Sequence, residues 1–278
     1  MKYLKKFLKV LIWPIVFAIG QFFIQYIFIY AFNLNEIKKL KILYPKYTNL
    51  EINKLLNKLI KTSEYNNRLT DYINSKTLLI IIIIFIIMLP ILYKGFKKYK
   101  TKNKIKLNNI LIVVLLGISI CLIYNISIFN LNNIFNFTNQ FKLSELPIYV
   151  QIISSGIVGP ILEELTFRGI VYNKLKEFNK PMKSIILSTL IFSLMHTNIV
   201  NMIYAFVISF FLIYVYEKYK TIKAPILLHM SANITTILFI SILIKNNLVF
   251  NCIVLFISLI ILILIYLKII KKDVYLKK

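Results

Sequence analysis

From Thr77 to Tyr93 the chain carries no charge, and Ile80–Ile87 is isoleucine throughout except for Phe85. Apolar runs of about twenty residues recur along the sequence, and that length spans a hydrocarbon core of ~30 Å. Of 278 residues, 59% are hydrophobic and the mean hydropathy is +0.75, far above that of an ordinary soluble domain. The expected fold is all-α: a polytopic membrane protein with about eight transmembrane helices. No polar stretch is long enough to build a separate soluble core.

The predicted spans are Val10–Phe32, Thr77–Tyr93, Leu107–Phe129, Leu146–Phe178, Lys183–Thr197, Val200–Tyr216, Ala224–Ile244 and Leu248–Ile270. The first follows Lys2, Lys5, Lys6 and Lys9 as a signal peptide would. It is too long for the apolar part of one, however, and is read as a retained helix. The net charge of +25 does not point to nucleic acid. The lysines fall in the short connections between apolar runs, which is a topology signal, and they suit anionic lipid headgroups. With eight spans, 23 Lys and Arg lie on one side and eleven on the other, nine of those eleven in the long connection 33–76. Long loops weigh little in this rule, so both termini are expected on the cytoplasmic side. Cys121 and Cys252 fall inside apolar runs and read as buried thiols, with no disulfide framework. Heavy use of Ile, Lys and Asn suggests an AT-rich, bacterial source.

The connection 33–76 mixes both charge signs. Leu50, Ile52, Leu55, Leu56 and Leu59 recur at helical spacing, as in an amphipathic segment lying on the membrane surface. A small cap over an outer vestibule is the other reading. The expected organisation is 1–145 for the first helices and this loop, 146–270 for the core that carries chemistry, and 271–278 for a basic tail.

Ionisable residues inside the fourth run contradict its apolar character. Glu163, Glu164 and Arg168 sit there, and each charge at the bilayer centre costs at least ~2.5–3.5 kcal/mol. Both histidines of the chain, His196 and His229, also lie inside predicted spans. Counting ~1.5 Å per residue from the lysine-rich ends puts Glu163 ~15 Å deep, His196 ~19 Å, His229 ~7 Å and Asn233 ~13 Å. One polar pocket accounts for all four. Glu164 and Arg168 are i,i+4 and can pair, offsetting each other's desolvation. Glu163 is rotated ~100° from Glu164 and is free to face something else. Phe192 with His196, and His229 with Asn233, are i,i+4 pairs sharing a face. A carboxylate and a histidine can activate water, and the His229/Asn233 face can donate to a developing oxyanion. That is hydrolase chemistry without a serine or cysteine nucleophile.

The segment Glu163-Glu164-Leu165-Thr166-Phe167-Arg168-Gly169 resembles the EExxFRG motif of the CAAX-protease and bacteriocin-processing family (CPBP, or Abi) of intramembrane proteases. Phe192–His196 is similar to its FxxxH motif and His229–Asn233 to its HxxxN motif, in the family's order. The resemblance implies an eight-helix intramembrane endopeptidase with a site open towards the cytosol, acting on a membrane-associated protein or peptide. It implies that Glu163 and His196 activate the water and that His229 and Asn233 stabilise the oxyanion. Glu164 and Arg168, with Phe192 beside them, would support the site. It favours a metal-free site. The alternative is zinc or another divalent metal on Glu163, His196 and His229, although HExxH is absent. Bacteriocin processing and self-immunity are among the roles the resemblance leaves open. Three other readings of the residues alone are hydrogen-bond glue in an inert bundle, a proton-coupled transporter, and a non-proteolytic scaffold or immunity factor.

Overall fold

The computed structural model describes residues 2–135, 146–196, 198–243 and 248–267. Among these residues it is helical with no strand. The helices are α1 (Lys2–Leu43), α2 (Asn49–Leu59), α3 (Ser63–Phe96), α4 (Leu107–Phe135), α5 (Ile148–Lys176), α6 (Pro181–Ser193), α7 (Ile199–Tyr219), α8 (Lys223–Leu243) and α9 (Leu248–Ile265). All but α2 coincide with the eight apolar runs. Five of them (α1, α3 with its following turn, α4, α5 and α7) are long and apolar enough to cross a membrane, and α6 and α9 are shorter apolar helices. The chain is an all-α, membrane-integral protein. The asparagine-rich connection around Lys142 and the basic tail 271–278 lie outside the described residues.

Two compact units divide the chain: Met1–Pro14 with Pro90–Lys278, and Ile15–Leu89. In both α1 and α3 the division falls at a proline inside the helix, where the missing N–H removes an intrahelical hydrogen bond.

In the unit Ile15–Leu89, α1 continues past the predicted end of its span. Its 42 residues reach ~63 Å, twice the hydrocarbon thickness. The sequence Asn33–Leu43 reads as loop because it is polar, yet its apolar residues keep helical spacing and are used. Phe32 and Leu40 of α1, Ile52 and Leu56 of α2 and Tyr65 of α3 form one buried cluster. The apolar face of α2 is thus covered by protein rather than laid on a membrane surface. A capping box starts α2: Glu51 N–H donates to Thr48 Oγ1 (3.4 Å) and Thr48 N–H donates to Glu51 Oε2 (2.8 Å). Glu36 is buried here between Lys39 and Arg68, each at 2.9 Å.

In the other unit α8 packs along α4, α7 packs against α6, and α9 lies on α4. Gly117 marks the closest approach of α4 to α8, where a Cβ would collide with the Leu228 carbonyl and the Ser231 hydroxyl. Cys121 is buried, hydrogen-bonded to Thr236 Oγ1 at 2.9 Å. Cys252 is exposed, contrary to the sequence expectation, because most of α9 faces away from the protein.

Candidate active site

The site is built on α5, and α5 is not a uniform α-helix. Ile152–Val158 and Leu165–Tyr172 are wound as π-helix, flanking the α-helical turn Gly159–Glu164. Such wide turns are uncommon and gather at functional sites. Their carbonyls need new partners, and the sequence supplies them. In a π-turn the Ser155 carbonyl faces residue 160, which is proline and has no N–H. Asn233 Nδ2 of α8 donates to that carbonyl instead, at 2.8 Å. At the other π-turn, Asn173 Nδ2 donates to the carbonyls of Arg168 and Gly169 at 2.9 and 3.0 Å.

The π-turn also carries Arg168 into the interior. Arg168 and Glu164 both have fully buried side chains, with Arg168 Nη1 2.8 Å from Glu164 Oε1. Arg168 Nη2 donates to Ser209 Oγ of α7 at 2.8 Å, and Ser209 is bonded to Thr189 of α6 at 3.0 Å. The guanidinium carbon lies 4.2 Å from the centre of the Phe192 ring, a cation–π contact strengthened by exclusion from water. Ser209 and Thr189 escape sequence reading because a membrane hydroxyl usually bonds the carbonyl of its own preceding turn.

Glu164 has a second partner. Its Oε1 also lies 2.8 Å from His229 Nδ1. A carboxylate can only accept, so His229 donates from Nδ1 and turns Nε2 the other way. Nε2 lies 3.8 Å from Glu163 Oε2, beyond hydrogen-bond range. The Glu163 side chain is 26% exposed against 0% for Glu164. The two adjacent carboxylates therefore differ: Glu164 is spent on structure, and Glu163 opens on a cavity.

That cavity has a volume of about 380 Å³, and Glu163, Phe192, His196, His229 and Asn233 all line it. The structure brings together every site residue expected from the sequence except Glu164 and Arg168, which are buried and bonded to His229 and Ser209. His196 departs from expectation in one respect. Helix α6 ends at Ser193, and His196 lies in the turn that follows. Asn198 caps α7 by accepting from Val200 N–H at 2.9 Å, so the chain has to leave α6 before it. The turn keeps His196 edge-on to Phe192 at 5.2 Å, with Nδ1 3.2 Å from the Phe192 carbonyl. Asn125, Asn201, Tyr204 and Thr236 add uncharged polar groups to the cavity lining.

Among the described residues, no three His, Cys, Asp or Glu side chains gather as metal ligands would. The alternative set of Glu163, His196 and His229 does not form such a group in this geometry.

Residues 145–235 match the family model described as type II CAAX prenyl endopeptidase Rce1-like. All three motifs fall within them. Over these residues the chain resembles that family, in agreement with the three motifs. Two curated proteins are also similar to parts of the chain. "Putative membrane peptidase YdiL" of Bacillus subtilis (strain 168) is 33% identical over 84 residues, which is 30% of this chain and 34% of that protein. "UPF0177 protein YbdI" of Lactococcus lactis subsp. lactis (strain IL1403) is 30% identical over 103 residues, 37% of this chain and 55% of that protein. The matches thus span about a third and about half of the two relatives' lengths. No solved structure matches the chain.

Proposed function

We propose that this protein is an intramembrane endopeptidase that hydrolyses a peptide bond of a membrane-associated protein or peptide with an activated water. The observation that carries the reading is the inequality of the two neighbouring glutamates. Glu164 is buried and shared between Arg168 and His229, while Glu163 faces His229 Nε2 across 3.8 Å in a polar cavity.

Glu163 takes a proton from a water positioned between it and His196, and the hydroxide attacks the scissile carbonyl. The charge developing on the carbonyl oxygen meets two donors: the second N–H of the Asn233 amide, whose first is fixed on Ser155, and Nε2–H of His229. Both nitrogens of a protonated histidine donate, and the Glu164 contact on Nδ1 turns Nε2 of His229 towards the cavity. When the tetrahedral intermediate collapses, the proton held by Glu163 passes to the departing amine. Arg168 holds Glu164 in place through Nη1. Asn233 and His229 are each held by a hydrogen bond before the substrate arrives, the condition under which such donors contribute most.

Helices α5 and α7, which contribute to the cavity, are apolar enough to cross a membrane, so the substrate is membrane-associated. The lysine-rich connections support eight spans with both termini in the cytosol, and the two bacterial relatives support a bacterial source. Bacteriocin processing or self-immunity fits this chemistry as a cellular role.

The test is to compare membranes from cells producing the wild type or Glu163→Gln at equal levels, mapping new protein termini by mass spectrometry. Termini present only with the wild type are expected. Identical termini in both would leave the fold with a scaffold, immunity or carrier role.

A further inference from the structure

A second, smaller cavity lies away from the active site, where the first turns of α1 meet the end of α5. It has a volume of about 110 Å³ and is lined by Lys6, Lys9, Val10, Lys174, Glu177 and Phe178. Val10 is its buried floor. The one carboxylate there is engaged elsewhere: Lys98 Nζ and Tyr99 OH donate to Glu177 Oε1 at 2.6 and 2.7 Å. The Lys98 ammonium and the Tyr99 hydroxyl hold the Glu177 carboxyl below its ordinary range. Lys6, Lys9 and Lys174 have no ion pair among the described residues. Lys6 and Lys174 rest instead on the rings of Phe178 and Trp13, at 5.7 and 5.9 Å.

The walls are held in place. Tyr3 OH donates to Asn179 Oδ1 at 3.0 Å, and its ring packs edge-on against Phe178 at 5.4 Å. Trp13 sits on Gly95, where a Cβ would strike the indole. Three lysines around an apolar floor, at the start of the apolar run of α1, complement the phosphate of a lipid whose chains enter the membrane. Basic pockets between membrane helices take anionic headgroups for this reason.

We propose that this cavity binds the headgroup phosphate of an anionic phospholipid, held by Lys6, Lys9 and Lys174, with the acyl chains directed into the membrane. The proposal does not depend on the peptidase reading.

The test is native mass spectrometry of the purified full chain with phosphatidylglycerol or phosphatidylcholine of the same acyl length. The wild type is expected to retain one phosphatidylglycerol and to discriminate against phosphatidylcholine. Lys6→Gln, Lys9→Gln and Lys174→Gln should each weaken retention roughly fivefold, and the triple variant about a hundredfold. The triple Lys54→Gln/Lys58→Gln/Lys61→Gln removes the same charge elsewhere and should retain the lipid. Lys9→Glu alone, at an exposed position, gives the same answer if the first triple does not fold. Equal loss from both triples, equal retention of the two lipids, or displacement by millimolar inorganic phosphate overturns the proposal.

Discussion

His229 Nδ1 and Glu164 Oε1, 65 residues apart in sequence, meet at 2.8 Å in the buried heart of the protein. The same oxygen binds Arg168 Nη1, so one carboxylate fixes both the imidazole and the guanidinium. Removing a single member of such a buried set leaves the others charged and unpaired.

Arg168→Leu is accordingly expected to cost ~3–5 kcal/mol of stability, read as a large fall in the thermal unfolding midpoint of the purified protein. Glu164→Gln should lose activity as well, since the carboxylate oxygen that both Arg168 and His229 bind is replaced by a neutral amide. The double variant Glu164→Leu/Arg168→Leu should regain part of the stability and none of the activity. Wild-type stability in Arg168→Leu would show that the pair carries no weight.

The Glu164–Arg168 pair is legible from its spacing alone, because i,i+4 residues meet on any α-like helix. The bond from Glu164 to His229 is not, since it depends on how α8 is rotated against α5. The π-turns of α5 are also invisible in composition, and they are what direct Asn233 to Ser155. The common depth of Glu163, His196, His229 and Asn233 could be counted from the lysine-rich ends because membrane helices run nearly straight between fixed planes. The helical extension of α1 through Asn33–Leu43 could not, because polarity there masks a periodicity that is satisfied by α2 and α3.

Pro160→Ala tests the π-turn directly. It returns an N–H that competes with Asn233 for the Ser155 carbonyl, at the level of one hydrogen bond or ~0.5–1.5 kcal/mol. A drop of roughly two- to tenfold in kcat is expected with the fold intact, against ~10²–10³-fold for Asn233→Ala. Unchanged kcat in Pro160→Ala, measured beside a normal circular dichroism spectrum, would separate the proline from the positioning of Asn233.

Topology follows from the lysines. Single cysteines replacing Lys100 and Lys220, in a background lacking Cys121 and Cys252, should stay shielded from an impermeant thiol reagent in intact cells. A cysteine replacing Lys54 should label. Labelling at position 100 from outside would reverse the orientation of the site.

Water activation by Glu163 needs no metal ligand set, so activity of the purified protein should survive chelation and dialysis. Loss of activity on chelation, restored by stoichiometric Zn²⁺, would replace this chemistry with a metal-bound water.

The division of labour between the two glutamates is tested most directly by Glu163→Gln, in liposomes, on a membrane peptide whose cleavage site has been mapped in cells. Glutamine keeps the shape of the side chain but cannot accept the proton. The rate should fall ~10²–10⁴-fold, with peptide affinity and unfolding midpoint unchanged. A variant that cleaves at the wild-type rate would contradict the account.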